Sequence, residues 1–129
     1  MTELEVLNET LRRSFDAKEW DEYRSASIKI AAVKQDHGDY GVALPMLIDV
    51  AIIDAMYTEE YTAGVDRGSI STLVQVNMVD CGRNGKFTRA QLRELVSLRA
   101  ERIPGLPKWC RGQLSDVIED MVFGRQGVG

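Results

Sequence analysis

Residues 38–57 read GDYGVALPMLIDVAIIDAMY, and this stretch decides the fold. It predicts a tight turn at Gly38, followed by a helix from about Gly41 to Tyr57 that is apolar on almost every side. The only strongly polar side chains in that helix are Asp49 and Asp54. Such a helix cannot face water along much of its surface. The sequence therefore predicts an all-α bundle with this helix at its centre.

Composition places the chain among globular proteins. It has 129 residues, of which 44% are hydrophobic and 28% charged, with a net charge of −4. These values predict one helical domain over residues 1–129 with a core of its own. Cys81 and Cys110 have no metal-ligand spacing and are too few for a disulfide scaffold, which favours a reducing compartment.

Targeting and membrane signals are not evident in the sequence. The N-terminus, Met1–Glu5, is acidic where a secretory signal would be basic. The apolar run from Val42 to Tyr57 is short for a membrane span and contains two aspartates. We therefore expect a cytoplasmic protein that does not associate with membranes.

Helical periodicity and capping patterns predict five further helices. Three pairs have the spacing of a capping box, and Ser69 is positioned to cap the fourth helix. The pairs are Thr2 with Glu5, Asp16 with Glu19, and Thr88 with Gln91. The predicted helices are Thr2–Ser14, Lys18–Asp36, Ile70–Val79, one that Thr88 caps and that runs to about Arg102, and one with Pro107 in its first turn that ends at Gly124.

One predicted helix, one proline and the segments outside the helices need a separate interpretation. Ile70–Val79 alternates in a way that also fits a strand, and we choose helix because no second strand is evident to pair with it. Pro45 is expected in the first turn of its helix, where a missing N–H is tolerated. Thr58–Gly68 is predicted to be a long loop, Asp80–Lys86 a glycine-rich turn, and residues 124–129 a frayed tail.

One segment resembles a tetratricopeptide repeat, a helix–turn–helix unit of about 34 residues. The likeness covers Arg24–Tyr57 and rests on six residues: Ile30, Ala31, Gly38, Tyr40, Ala43 and Leu47. Ser27, Lys34 and Ala55 depart from the family pattern, and no tandem copy follows. Tetratricopeptide proteins are mostly peptide-binding scaffolds, so the resemblance implies an antiparallel hairpin with an interaction role. The alternative is a helical hairpin that converged on the same packing.

A second segment, Asp80–Leu92, is similar to the calcium-binding loop of an EF-hand. Asp80, Asn84, Gly85 and Phe87 fall in register with that pattern. Gly82 and Gln91 stand where oxygen ligands are expected, and three basic residues lie in the same loop. Calcium takes six to eight oxygen ligands, so this would be a degenerate loop without calcium. The alternative is a helix end, a tight turn at Asn84–Gly85 and a Thr88 cap.

Basic residues are concentrated in the second half of the chain, where they suggest a binding surface. Trp109 and Arg111 are residue types enriched at protein-binding hot spots, although a tryptophan near a helix start is more commonly a core anchor. We name six candidate partner-binding residues: Arg83, Lys86, Arg89, Arg93, Trp109 and Arg111. The first four are also the candidates for phosphate contact, should the protein be a nucleic-acid-associated regulator.

Polar residues elsewhere do not form a recognisable catalytic pattern. His37 lies in a polar turn, and turns favour its aspartate neighbours for backbone reasons. Asp49 and Asp54 would have unusual acid–base chemistry if buried alone, but we favour a wet helix edge or ion pairs with arginine. The sequence therefore predicts a non-enzymatic module without cofactor or metal that binds another protein or itself. Nucleic acid is the alternative partner.

Overall fold

The computed structural model describes residues 2–59 and 64–124, and over these residues the chain forms an all-α bundle. The predicted fold class, a bundle of five or six helices, is confirmed. Residues 125–129 of the predicted tail and 60–63 of the predicted loop lie outside the described residues. The helices are α1 (Glu3–Asp16), α2 (Trp20–Asp36), α3 (Tyr40–Glu59), α4 (Thr72–Asn84), α5 (Arg89–Arg102) and α6 (Lys108–Phe123), with a 3₁₀ turn at Arg67–Ser69.

Helix α3 is the centre of the bundle, because α2, α4 and α5 all pack against it. Side chains on all sides of α3 are fully buried, including Ile48, Val50 and Ile52. By length and composition α3 could also span a membrane, but most of it is buried inside the protein. Burying each large apolar side chain contributes roughly 1.5–3 kcal/mol, so α3 dominates the stability of the core.

Pro45 lies in the second turn of α3, not in the first turn as predicted. The helix begins at Tyr40, one residue before the predicted start. An N–H at position 45 would have bonded to the carbonyl of Gly41, and proline leaves that carbonyl without its helical partner. Gly41 is exposed, so water can satisfy this carbonyl.

Helices α2 and α3 form an antiparallel hairpin with a three-residue connection at residues 37–39. Gly38 reverses the chain with φ of +74°, a conformation that residues with a Cβ rarely adopt. Two cross-helix hydrogen bonds fix the direction. Tyr57 Oη donates to Asp21 Oδ1 at 2.9 Å, and Arg24 Nε donates to Asp54 Oδ1 at 2.7 Å.

Two of the three predicted capping pairs are confirmed. Thr2 Oγ1 accepts from Glu5 N, and Thr88 Oγ1 accepts from Gln91 N, each at 3.1 Å. The pair of Asp16 and Glu19 is a wrong prediction. Asp16 is the last residue of α1, and Glu19 precedes α2 without a side-chain capping bond. Because α1 stays helical through Asp16, α2 begins at Trp20 and not near Lys18.

Helix α4 confirms the choice of helix over strand for Ile70–Val79, but both predicted ends are wrong. At the start, Ser69 belongs to the 3₁₀ turn, where its hydroxyl accepts from Asp66 N at 3.1 Å. Because of this bond, the Ser69 side chain stabilises the 3₁₀ turn and does not cap α4. Ser71 takes the N-cap position of α4.

The predicted turn at Asp80–Lys86 is also mostly helical. Helix α4 continues to Asn84, whose side-chain amide donates to the Asp80 carbonyl at 2.9 Å and to its carboxylate at 2.6 Å. The helix can run this far because Gly82 faces α6. A Cβ at Gly82 would lie 2.8 Å from Val122 Cγ1, so the glycine permits close packing. Most of the EF-hand-like segment is therefore helix, and the connection is reduced to residues 85–88.

Candidate functional site

Two of the predicted basic residues lie at the C-terminal end of α6. Arg83 Nε donates to the carbonyl of Val122 at 3.1 Å. Arg89 donates to the carbonyl of Gly124 at 3.3 Å, and its guanidinium lies 5.0 Å from the centre of the Phe123 ring. Positive charge at a helix C-terminus is favourable because unpaired carbonyls make that end negative. Arg83 and Arg89 therefore help to hold α6 in the bundle.

Arg93 on α5 is bonded to two acidic residues of α6. Its Nη2 lies 2.8 Å from Asp116 Oδ1 and 2.6 Å from Glu119 Oε2. The hydrogen bonds to Asp116 and then Glu119 raise the pKa of Arg93. Burial opposes ionisation of Glu119, but hydrogen bonds from Arg93 and Arg89 outweigh it and lower the pKa of that carboxyl. This part of the surface is thus a network of mixed charge.

The six predicted residues are not brought together into one basic surface. Arg83 in α4 and Arg89 and Arg93 in α5 are hydrogen-bonded to different positions along α6, as described above. Lys86 stands apart in the α4–α5 connection, exposed, with φ of +56°. Arg93 and Arg111 do come together, because both line a cleft between α5 and α6.

This α5–α6 cleft has a volume of about 200 Å³. Its α5 wall combines an arginine with small and apolar side chains, and its α6 wall combines an arginine with glycine and serine. The lining residues are Arg93, Val96, Ser97, Arg111, Gly112 and Ser115.

Two buried polar atoms of the cleft residues lack a hydrogen-bond partner. These atoms are Arg111 Nε and Ser115 Oγ. Buried donors are nearly always satisfied in native proteins, and leaving one unsatisfied costs about 1–3 kcal/mol. Ser27 Oγ is the third such atom in the described ranges, and it lies in α2, away from this cleft. Residues that line this cleft therefore carry two of the three such atoms in the described ranges, which makes the cleft a candidate binding site.

Trp109 lies close to this cleft on the surface of α6. Its side chain is 54% exposed, so the interpretation of Trp109 as a core anchor is wrong. It precedes Gly112 by three residues, and residues at that spacing are neighbours on a helix surface. An exposed tryptophan beside a cleft that an arginine lines has the composition of a protein-binding hot spot.

Asp49 is fully buried, and the predicted pairing with an arginine is confirmed. Arg99 donates to it through Nε at 2.8 Å and Nη2 at 2.5 Å, and Tyr23 Oη donates at 2.7 Å. Burial, and then the adjacent Asp49 charge, raise the pKa of Tyr23 to about 12. All three groups are engaged with one another, so this central cluster is suited to holding helices together.

Asp54, further along α3, is also paired with an arginine. Arg24 donates to both of its carboxylate oxygens, at 2.7 and 3.3 Å. The backbone N–H of Ser71 donates to Asp54 Oδ2 at 3.2 Å. Asp54 therefore ties α2 and the start of α4 to the central helix.

The other residues considered for chemistry are not assembled into a site. His37 is exposed, with Nδ1 2.7 Å from the carbonyl of Val33. Cys81 and Cys110 are both buried and are not joined in a disulfide. Burial, and then Asp80, raise the pKa of Cys81 to about 11, which makes it a poor nucleophile at neutral pH. Within residues 2–59 and 64–124, no three His, Cys, Asp or Glu side chains are grouped to hold a metal.

Sequence reasoning missed a second exposed apolar surface on α4. Leu73 and Val76 are each 61% exposed. Leu73 borders a cleft of about 110 Å³ that Ile28 and Leu47 also line. The signal was the alternating pattern of residues 70–78, which is too rich in apolar residues for one buried face of a helix.

Comparisons with protein-family models, with curated proteins and with solved structures find no significant match for this chain.

Proposed function

We propose that this protein is a non-enzymatic helical module that binds another protein through the surface formed by Trp109 and the α5–α6 cleft. One observation carries the proposal: a half-exposed tryptophan lies next to a cleft whose lining residues carry two buried polar atoms without partners, Arg111 Nε and Ser115 Oγ. An apolar anchor beside directional polar groups is the usual composition of a binding hot spot.

The α2–α3 hairpin adds support through its likeness to a tetratricopeptide repeat. The hairpin is antiparallel with a short connection, and Ala31 and Ala43 are fully buried. Small residues at facing positions let two helices approach closely, which is the packing that the family uses. A tetratricopeptide-like character would fit a cytoplasmic interaction protein, and it remains part of the proposal.

Nucleic acid is the less favoured partner. Arg83, Arg89 and Arg93, three of the four candidates for phosphate contact, are hydrogen-bonded to α6. Asp116 and Glu119 lie among them, so a polyanion would meet mixed charge. Binding to phosphate backbones depends on clustered, available basic groups. Retention on heparin that falls steeply with salt would favour nucleic acid over protein.

Self-association is a second candidate, supported by the exposed pair Leu73 and Val76 on α4. Exposed apolar pairs beside a groove are common at protein interfaces. Sedimentation velocity over a range of protein concentrations tests it. A dimer that Leu73→Ser abolishes would support self-association, and a monomer at every concentration would exclude it.

Quantitative affinity purification with three baits tests the principal proposal. The baits are the wild-type protein, Trp109→Ser, and Val42→Ser as a control, because Val42 is an exposed apolar residue on α3. We expect at least one protein retained by the wild type and the control but depleted about tenfold with Trp109→Ser, as loss of a hot-spot side chain would cause. That protein must then bind directly when purified. Equal recovery with all three baits would contradict the proposal.

A further inference from the structure

We infer that the α5–α6 cleft binds a carboxylate group of the protein partner. The inference rests on the proposed function and names the chemistry of the group that the cleft accepts. It starts from Arg111 Nε and Ser115 Oγ, two buried atoms without partners in residues that line one cleft.

Both unsatisfied atoms are donors, which determines the kind of ligand. The Nε of arginine only donates, and a serine hydroxyl can rotate to donate. A carboxylate has two oxygens that accept only, so it can take one hydrogen bond from Arg111 and another from Ser115. Hydrogen bonds with charge on both sides are about twice as strong as neutral ones.

The charges of the surrounding residues also favour an anion over water. Arg111 has no acidic partner in the described parts of the chain, whereas Asp116 and Glu119 are both bonded to Arg93. Water can satisfy a donor, but it leaves the charge of a partly buried guanidinium without a counter-charge. A ligand carboxylate supplies both the acceptor and the missing charge.

The size and surroundings of the cleft argue for a single carboxylate and against a nucleic-acid strand. A volume of about 200 Å³ holds one small group. Asp116 is 65% exposed beside it, and the chain carries a net charge of −4. A run of phosphates would be repelled by these charges, whereas one carboxylate can enter between the two arginines.

Gly112 provides a way to block the cleft without changing its charge. A Cβ at this position would meet no atom within 4 Å. A small side chain therefore fits there, whereas a large one at the same position projects into the space that a ligand would use. Gly112→Ala and Gly112→Leu form a matched pair, because both remove the flexibility of glycine and only the second fills the cleft.

Nuclear magnetic resonance titration of the whole protein with small peptides tests the inference, with the arginine Nε–H signals as the readout. One probe is a peptide blocked at both ends with a single glutamate, and another has only a free C-terminal carboxylate. The blocked peptide with glutamine in place of glutamate is the neutral control, and a single-stranded oligonucleotide is the nucleic-acid arm. The protein variants are Arg111→Lys, Ser115→Ala, Gly112→Leu and Gly112→Ala, with Arg12→Lys as an arginine control elsewhere.

We expect at least one carboxylate peptide to shift the Arg111 Nε–H signal saturably, and the glutamine peptide to leave it unchanged. The two carboxylate peptides show whether a side chain or a chain terminus is preferred. In Arg111→Lys, Ser115→Ala and Gly112→Leu, shifts at the remaining cleft residues should require about tenfold more peptide, as expected for losing a hydrogen bond to a charged group or the space for it. Gly112→Ala and Arg12→Lys should bind like the wild type.

Three outcomes would overturn the inference: no shift with either carboxylate peptide, equal shifts with the glutamine peptide, or a saturable response to the oligonucleotide alone. The result is separable from the fate of the proposed function. If a partner that depends on Trp109 binds Arg111→Lys as tightly as the wild type, the carboxylate inference fails and the interaction stands. If carboxylates bind the cleft but no partner depends on Trp109, the interaction proposal fails alone.

Discussion

The central cluster of Asp49, Arg99 and Tyr23 and the α5–α6 cleft both place arginine side chains between helices, but they differ in how the polar atoms are satisfied. In the central cluster, Asp49 accepts three hydrogen bonds and is fully buried. In the cleft, Arg111 Nε and Ser115 Oγ are buried without partners. The first arrangement is complete within the chain, whereas the second leaves two polar atoms without a partner in the described residues.

From this difference we infer a structural role for the central cluster and a binding role for the cleft. A closed polar network specifies how helices pack, because each partner would be costly to leave alone. A buried polar group without a partner lowers the stability of the isolated protein unless a ligand supplies the missing hydrogen bond. We therefore expect substitutions in the centre to change stability, and substitutions in the cleft to change binding.

The largest expected effect is that of Ile52→Asp in the centre. Ile52 is fully buried on α3, and an unpaired carboxylate there would have no solvent and no partner. We expect the domain to unfold, and circular dichroism melting measures the loss. Leu47→Asp should do the same, since Leu47 is only 3% exposed. The control is Val42→Asp, an exposed site in the first turn of α3, which should melt near the wild type. Unchanged melting of Ile52→Asp and Leu47→Asp would refute the central position of α3.

Asp49→Ala should have the next largest effect, because it leaves Arg99 partly buried without its counter-charge. We expect a loss of about 3 kcal/mol in the free energy of unfolding, measured by urea denaturation. The matched control is Asp116→Ala at the cleft. Asp116 is 65% exposed and its ion pair with Arg93 lies at the surface, so its removal should cost less than about 1 kcal/mol. Equal losses would remove the distinction between the two regions.

Tyr23→Phe should cost about 2 kcal/mol at neutral pH, since it removes a hydrogen bond to a charged group. The effect should depend on pH in a defined direction. The pKa of Tyr23 is about 12 in the folded protein against 10.0 for the ordinary side chain. Because the folded-state pKa is raised, the contribution is fully present below pH 10.0 and is lost as the pH rises through about 12.

Unfolding free energies of the wild type and Tyr23→Phe, measured across this alkaline range, should therefore converge. The difference between the two proteins isolates Tyr23 from the other groups that titrate there. Curves that stay parallel through the alkaline range would show that Tyr23 is not held by Asp49 as described.

Ser115→Ala should have the smallest effect on stability, within about 0.5 kcal/mol of the wild type, because it removes a hydroxyl that has no partner. The matched control is Ser14→Ala. Ser14 is also buried, but its Oγ donates to the carbonyl of Thr10 at 2.6 Å. We expect Ser14→Ala to lose about 1 kcal/mol, and urea denaturation compares the two. A larger loss for Ser115→Ala would mean that its hydroxyl is satisfied in solution without a ligand.

Local patterns in the sequence predicted the central helix and several helix ends. The apolar run of α3 is removed from water when other helices pack around it, and the Thr88–Gln91 spacing directly describes a capping geometry. Predictions failed where one local pattern competed with another. Asp16 has the residue type of a cap, but continuing α1 satisfied more of the backbone, and the glycines after Asp80 suggested a turn where Gly82 serves helix packing.

The candidate site was predictable only in part. Trp109, Arg93 and Arg111 were identified by residue type, since tryptophan and arginine are frequent in binding surfaces. That Arg93 and Arg111 share a cleft depends on how α5 packs against α6, and no local pattern records this. In the same way, an arginine partner for Asp49 was expected. The sequence did not indicate which arginine it is, because Arg99 lies 50 residues further along the chain.

The order of the helices along the chain has a consequence for synthesis. The ribosome completes α3 at Glu59, whereas α5, which covers one side of it and supplies Arg99 to Asp49, is finished only at Arg102. For roughly 40 residues of translation, a few seconds at typical elongation rates, the most apolar helix emerges without part of its cover. The nascent chain at this stage is an expected client for chaperones, and truncation within α4 or α5 should produce an aggregating fragment.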